Sequence, residues 1–231
     1  MKQMKFAVAA LALAAGSTAV WAAPAKKVPA ADWSRTVVAT PEGGFAMGNP
    51  KAKVTLVEYA SLACPHCRDF AAQAFGPLKN GYVKSGRVRF EYRPFILNGY
   101  DLAATTVARC AGPRGFFPIA EAAFANQNQW MARIKATPEA RLKQLEGLPT
   151  EKLFPEMARI AGFQALGASK GLPAARANVC LADKAAAQRL LDQTNAGRAR
   201  GVKGTPTFYL NGRQVDGNDW ASVEAAIKAA L

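Results

Sequence analysis

The stretch VTLVEYASLACPHCRDF, residues 54–70, combines a strand pattern with two cysteines and the start of a helical pattern. Residues 54–60 are dense in β-branched and aromatic side chains, which is typical of a strand. After the cysteines, apolar residues recur at helical spacing at Phe70, Ala74 and Leu78. Cys64 and Cys67 therefore lie where a strand is predicted to end and a helix to begin.

The segments around this junction predict a mixed α/β fold. GFAMGNP (44–50) and RVRFEYRPF (87–95) indicate two further strands, and the strand-helix-strand order predicts a parallel pair. Pro77 is expected to kink or split the helix. Amphipathic, Ala-rich segments fill residues 98–201, after which TPTFYL, the turn Asn211-Gly212 and RQV predict a hairpin, and residues 219–231 a closing helix.

This order predicts an α/β core that is interrupted by an all-helical insertion. Lys2, Lys5 and an apolar stretch that begins at Phe6 are typical of a secretory signal, with cleavage expected after Ala22. The predicted divisions are a signal peptide (1–22), an extended or mobile lead-in (23–43), the first part of the core (44–98), the helical insertion (99–201) and the second part of the core (202–231).

The chain is strongly basic, with a formal net charge of +14 over 231 residues. Lys and Arg are scattered from Lys26 to Lys228, and no tract resembles a groove-reading helix or an aromatic stacking platform. Together with the predicted export, this pattern favours a solvated basic surface and argues against nucleic acid as a partner.

The position of Cys64 favours a reactive thiolate. Backbone N–H groups and the positive end of the helix dipole face a sulfur at a helix N-terminus. Pro65 suits the first helical position because its missing N–H would be unpaired there, and His66 can add a donor or partial positive charge. Two intervening residues let Cys67 attack a mixed disulfide at Cys64. We therefore expect Cys64 to attack partners and Cys67 to resolve them.

The same spacing allows other interpretations. A C-x-x-C pair is also half of a zinc site, but His66 lies between the two cysteines, and Cys110 and Cys180 lie more than forty residues away. An inert structural disulfide is a further alternative. The four cysteines of an exported chain allow three pairings, and the sequence alone does not prove which of them forms.

The motif CPHC after VEYASLA, with GTPTFYLNG far downstream, resembles the DsbA family of thioredoxin-fold thiol oxidases. The resemblance runs from Gly44 to the C-terminus and implies a thioredoxin fold with an inserted helical domain. It also implies a cis peptide bond between Thr205 and Pro206, which would bind substrate backbone, and a proton-transfer role for Glu58. A carboxyl in such a buried strand is expected to have a raised pKa.

The resemblance further implies that Cys110 and Cys180 form the extra disulfide of some alphaproteobacterial members, with a structural role. Such proteins need no bound cofactor or metal, since the Cys64–Cys67 disulfide is itself the redox carrier. The implied partners are newly exported cysteine-containing proteins and a membrane reoxidase of the DsbB type. The implied location is the periplasm, and we expect a monomer.

One residue departs from the oxidase pattern. Thr before the proline, here Thr205, is also common in the isomerase relatives DsbC and DsbG, which carry a substantial N-terminal dimerisation domain. After the predicted cleavage, only about 20 residues, 23–43, precede the first predicted strand, too few to fold as a domain. The sequence therefore favours an oxidase, with an isomerase or reductase, a thiol-based metal-binding protein and a binding protein for unfolded chains as alternatives.

Overall fold

The computed structural model describes Met1 and residues 31–231. The predicted signal peptide (1–22) and the first residues of the lead-in (23–30) lie outside the described residues. In the part that is described, no helix is long and apolar enough to cross a membrane.

The described chain forms one sheet and a succession of helices. The strands are β1 (Val37–Ala39), β2 (Phe45–Met47), β3 (Val54–Ala60), β4 (Val88–Pro94), β5 (Thr207–Leu210) and β6 (Arg213–Gln214). The helices are α1 (Pro65–Pro77), α2 (Gly99–Cys110), α3 (Gly112–Ala125), α4 (Gln127–Lys135), α5 (Glu139–Glu146), α6 (Thr150–Ala161), α7 (Phe163–Ala168), α8 (Ala174–Leu181), α9 (Lys184–Ala199) and α10 (Trp220–Ala230).

The sheet has the strand order β1-β2-β4-β3-β5-β6. Strands β3 and β4 run parallel, in register from Val54 opposite Val88 to Ala60 opposite Pro94, which confirms the predicted parallel pair. Strand β5 joins β3 antiparallel and forms the predicted hairpin with β6. Its turn residues Asn211 and Gly212 have φ of 48° and 84°, the left-handed values that favour Asn-Gly.

The lead-in contributes more structure than the sequence predicted. A 3₁₀ helix forms at Trp33–Arg35, and β1 pairs antiparallel with β2 at the edge of the sheet. The Thr40 hydroxyl donates a hydrogen bond of 2.7 Å to the buried Glu91 on β4. The lead-in is thus extended at Val37–Ala39, and its pairing with β2 and this buried contact, which the sequence did not predict, anchor it to the core.

Pro77 splits the first long helix, as predicted. Helix α1 ends at Pro77, and the chain continues as a π-helical segment, Leu78–Val83. Proline has no N–H to donate within a helix, so the regular hydrogen-bond pattern changes where its donor is missing.

The sheet presents different faces to different helices. Successive side chains of β3 point to opposite faces of the sheet. Leu56, Glu58 and Ala60 therefore lie on one face, and Val57 and Tyr59 lie on the other. Phe70 on α1 packs against Phe208 on β5 with ring centroids 4.4 Å apart, and α10 also contacts β3 and β5. Tyr59 belongs instead to a small cluster with Phe95, Val202 and Tyr209.

The helical insertion, α2 to α9, packs onto this core. Phe116 on α3 stacks on Phe45 of β2 at 4.3 Å between centroids and meets Tyr92 of β4 edge-on at 5.2 Å. Cys110 at the end of α2 and Cys180 on α8 form a disulfide that closes a sequence separation of 70 residues. The bond lies within the insertion and does not involve Cys64 or Cys67.

We expect the double variant C110A/C180A to have a lower free energy of unfolding by up to about 4 kcal/mol, because removing the cross-link frees a long loop in the unfolded chain. Urea denaturation of the variant and the wild type under non-reducing conditions measures this difference. The redox potential of Cys64/Cys67 is expected to stay the same. Equal stability of the two proteins would contradict a structural role for the bond.

Candidate dithiol active site

The two cysteines of the CPHC motif lie at the junction between the central strand and the first helix. Strand β3 ends at Ala60, residues 61–63 form a short connection, and α1 begins at Pro65. Cys64 is the N-cap residue, with φ −83° and ψ 123°, and no side-chain hydrogen bond caps the helix. Both cysteines are free thiols, with relative exposures of 5% for Cys64 and 0% for Cys67.

The surroundings of Cys64 stabilise its thiolate. Hydrogen bonds from the Cys67 side chain, the Thr205 side chain and the backbone N–H groups of Cys67 and His66 lower the pKa of Cys64 from its ordinary 9.0 to about 5, although burial opposes the shift. The backbone donors are those that the start of α1 leaves unpaired. His66 and Pro65 are exposed beside the sulfur.

Cys67 has the opposite electrostatic character. Burial raises its pKa well above the ordinary value, and the hydrogen bond that it donates to Cys64 and the nearby charge of Glu58 act in the same direction. One sulfur of the pair therefore ionises easily and the other holds its proton. This asymmetry suits an attacking thiolate and a resolving thiol.

The loop before β5 faces the pair. The peptide bond between Thr205 and Pro206 is cis. The Cys64 Sγ donates a hydrogen bond of 3.2 Å to the carbonyl oxygen of Thr205. Thr205 is half-buried and Pro206 is buried, so the loop places a backbone edge directly beside the reactive sulfur.

Glu58 lies on β3, opposite Tyr92 of β4 and Phe208 of β5, and is 4% exposed. Burial, followed by the charge of Cys64, raises the pKa of Glu58 to about 8. Its Oε1 has no hydrogen-bond partner among the described residues. A carboxyl in this state can accept or give a proton near neutral pH.

Two buried polar residues of the insertion hold the connection that carries Cys64. Asp101 on α2 accepts hydrogen bonds from the Ser61 hydroxyl at 2.6 Å and from the Leu62 N–H at 2.9 Å. Gln127 at the start of α4 donates its amide N–H groups to the carbonyl oxygens of Leu62 at 2.8 Å and Cys64 at 3.0 Å. The helical insertion thereby fixes the backbone of the active-site connection.

The sequence analysis did not identify Asp101 or Gln127. Asp101 has the appearance of an ordinary acid in the first turn of a helix, after the N-cap Asn98. Gln127 follows Asn126 in a polar run that looks solvent-exposed. Only the tertiary contact shows that both side chains are completely buried.

Cys110 and Cys180 are part of the insertion, as described above, and do not join the dithiol. Among the residues that the structure describes, no group of three or more His, Cys, Asp or Glu side chains is arranged to hold a metal ion.

A dithiol with one stabilised thiolate, at a helix N-terminus and beside a cis-proline loop, defines a thioredoxin-type site for thiol–disulfide exchange. Comparison with known proteins agrees with this class. The family model described as Thioredoxin matches residues 40–229. The chain therefore belongs to the thioredoxin family.

The crystal structure of a protein-disulfide isomerase from Novosphingobium aromaticivorans is 31% identical, with a TM-score of 0.74 over 80% of this chain and 95% of that one. Wolbachia pipientis alpha-DsbA1 is 21% identical, with a TM-score of 0.65 over 84% of this chain and 92% of that one, and shares the fold.

A Rickettsia bellii protein named as a protein-disulfide oxidoreductase is 27% identical over 192 residues, or 82% of this chain. The chain spans 65% of the length of that relative, and 62% and 61% of the relatives from Rickettsia prowazekii and Rickettsia felis.

We expect the Cys64 thiolate of the reduced protein to titrate with a midpoint near pH 5, and T205V to raise this midpoint because it removes a hydrogen bond that favours the thiolate. Because folding lowers the pKa of Cys64 from 9.0 to about 5, the thiolate contributes to the free energy of unfolding. This contribution is complete above the unfolded pKa and is lost as the pH falls to about 5. Absorbance at 240 nm during a pH titration follows the thiolate, with C64S as the blank. A midpoint near 9 would contradict this assignment.

We expect Q127A to lose about 2 kcal/mol of unfolding free energy, since it leaves the buried carbonyl oxygen of Leu62 without a donor and removes one of the two donors to that of Cys64. Denaturant unfolding of the reduced protein measures the loss. Q129A, which truncates an exposed glutamine of the same helix, is the matched control and is expected to differ little from the wild type. Equal losses in the two variants would show that Gln127 does not fix the connection.

Proposed function

We propose that this chain is a periplasmic thiol:disulfide oxidoreductase that donates disulfide bonds to exported proteins. The observation that carries the proposal is the opposite pKa shifts of Cys64 and Cys67. Each unit by which folding lowers a thiol pKa stabilises the thiolate form by about 1.4 kcal/mol. A stabilised reduced form makes the corresponding disulfide a stronger oxidant, so the pair gives disulfides away.

In the proposed cycle the oxidised Cys64–Cys67 pair accepts two electrons from a substrate dithiol. A substrate thiolate attacks Cys64, the Cys64–Cys67 bond breaks, and Cys67 leaves with the electron pair and takes a proton from Glu58. A second substrate thiolate then attacks the first substrate sulfur. The substrate disulfide forms, and Cys64 leaves as the stabilised thiolate.

The cis-proline loop has a binding role in this cycle. The carbonyl oxygen of Thr205 lies 3.2 Å from the Cys64 sulfur, where the backbone of a bound polypeptide would pass. Backbone groups at this place can pair with any unfolded chain, since they do not read side chains. Such recognition suits an enzyme whose substrates are many unfolded, cysteine-containing proteins.

The proposed partners and location follow from the family and the predicted signal peptide. Reoxidation of the dithiol requires an electron acceptor, and the DsbA-type site implies a membrane partner of the DsbB type. Cleavage after Ala22 would release the protein into the periplasm, and the Cys64–Cys67 disulfide would serve as the redox carrier without a bound cofactor. We propose that the protein acts as a monomer.

A second candidate function is disulfide isomerisation. Two observations favour it: the similar Novosphingobium protein is called a protein-disulfide isomerase, and Thr205 precedes the cis proline. An isomerase needs its Cys64/Cys67 pair to be reduced at rest, so that the Cys64 thiolate can attack wrongly formed disulfides. The two functions therefore differ in resting redox state and reduction potential.

We expect the Cys64/Cys67 pair to equilibrate with glutathione at a potential nearer to about −120 mV than to about −270 mV. The wild type should oxidise a reduced two-cysteine peptide rapidly, and C64S should not. Mass spectrometry after alkylation quantifies both dithiol and disulfide forms, and C110A/C180A excludes a contribution from the second bond.

A thioredoxin-like potential, or refolding of a scrambled substrate faster than oxidation of a reduced one, would favour the isomerase or reductase. Metal analysis of protein that is purified under reducing conditions tests the remaining alternative, a thiol-based metal-binding protein. Stoichiometric metal together with absent peptide oxidation would overturn the oxidase assignment.

A further inference from the structure

Among the described residues, two surface grooves of the helical insertion are lined by cations and by no acid. The first groove, of about 350 Å³, lies between α3, α4 and α7 and includes Arg133 and Lys170. The second groove, of about 400 Å³, lies where α3 and α8 begin and includes Arg114, Lys170 and Arg176. Because Lys170 lines both, the two grooves form one basic surface, which we call the insertion groove.

The cations of the insertion groove lack acidic partners. Arg114, Lys170 and Arg176 form no salt bridge with any described residue. The charge of Lys170 reaches Glu121, but Glu121 pairs with Lys79, at 3.5 Å. Two other surface grooves, each of about 430 Å³, contain acidic as well as basic side chains. Cations of one sign on a shared concave surface attract an anionic ligand.

The backbone holds Arg133 at the first groove. Its guanidinium donates a hydrogen bond of 3.2 Å to the carbonyl oxygen of Ala161, at the end of α6. The next residue, Gly162, has φ of 85° and leaves the space in which the guanidinium lies, because a Cβ there would overlap it. A guanidinium has five N–H donors, so this one bond orients Arg133 and leaves other donors available to a ligand.

The insertion groove begins close to the dithiol. Gln127 on α4 binds the carbonyl oxygen of Cys64 at 3.0 Å, and the preceding residue, Asn126, lines the first groove. Arg133 follows Gln127 by six residues, which is about 9 Å along α4. An extended polypeptide advances about 3.4 Å per residue. A chain that is attached to the Cys64 sulfur could therefore reach Arg133 with about four residues.

We propose that the insertion groove is a second substrate-binding site, which binds an acidic segment of the polypeptide whose cysteine reacts with Cys64. The inference rests on the proposed exchange reaction and names a preferred substrate class for it. These substrates carry several Asp or Glu residues at least about four positions from the reactive cysteine. A concave surface that begins beside the dithiol fits such a chain better than it fits a flat membrane surface.

The two binding places have complementary roles. The cis-proline loop offers backbone groups that do not read side chains, so selectivity among unfolded chains must come from elsewhere. Exposed ion pairs are individually weak, and the insertion groove therefore depends on several carboxylates that bind together. Once an acidic segment is bound, the linked cysteine is held at a high effective concentration near Cys64. Since the acids lie away from the reacting sulfurs, they should lower KM and leave kcat unchanged.

The test compares two synthetic substrates with the same pair of cysteines and the same six-residue Gly-Ser spacer, which ends in four Asp residues in one peptide and four Asn residues in the other. We expect the wild type to oxidise the Asp peptide with a KM about tenfold lower at about 20 mM NaCl, and with a similar KM at about 500 mM NaCl, because salt screens the ion pairs. With a one-residue spacer, the acids fall short of the groove and the preference should be lost.

The variant R114Q/K170Q/R176Q removes three exposed cations of the insertion groove and leaves the dithiol unchanged. It should lose most of the preference for the Asp peptide and should oxidise the Asn peptide with the KM and kcat of the wild type.

The matched control is K51Q/K53Q/R213Q. It removes the same net charge from exposed residues before β3 and on β6, outside both grooves. The control should keep the full preference, which separates the insertion groove from the overall positive charge of the chain.

Equal KM values of the wild type for the two peptides at low salt would overturn the second site, as would an equal loss of preference in the two triple variants. Binding of the wild type to phosphatidylglycerol vesicles, lost in the groove variant and accompanied by no peptide preference, would overturn it in favour of a membrane surface. A wild-type protein that oxidises neither peptide would instead refute the proposed function itself, so the two failures are distinguishable.

Discussion

The stabilisation of one thiolate at the start of α1 is the interaction on which the site depends. The hydrogen bonds that lower the pKa of Cys64 come from backbone groups of the first helical turn, from Cys67 and from the loop before β5. Their directions are set by the short connection between β3 and α1. A change in that connection of even a fraction of a hydrogen-bond length would weaken several of these bonds together, since hydrogen bonds lose strength steeply with poor geometry.

The helical insertion is what holds this connection in place. Asp101 and Gln127 reach from α2 and α4 and bind the N–H and the carbonyl oxygen of Leu62, for which the core supplies no other partner among the described residues. Burying these polar side chains is costly unless every partner is present, so the insertion and the core are mutually dependent. The insertion therefore preorganises the dithiol in addition to covering the sheet.

Local sequence patterns were sufficient for the core and for the reactive pair. The β-branched run of β3, the helical spacing after Cys67 and the Asn211-Gly212 turn are local signals, and each predicted the element that forms. Strand β1 was not predicted, because its residues pair with β2 through long-range contacts and have no strong strand pattern of their own. Asp101 and Gln127 escaped prediction for a similar reason: their roles depend on which core residues the insertion meets in space.

The environment of Glu58 shows how the core contributes to the chemistry of the pair. Glu58 belongs to the core and lies beside the sulfurs, where burial keeps its carboxyl protonated at neutral pH. A fully enclosed acid could exchange its proton only slowly, since a charged intermediate in an apolar space is costly. The charge of Glu58 in turn raises the pKa of Cys67, so only one of these two neighbouring buried groups ionises readily at a time.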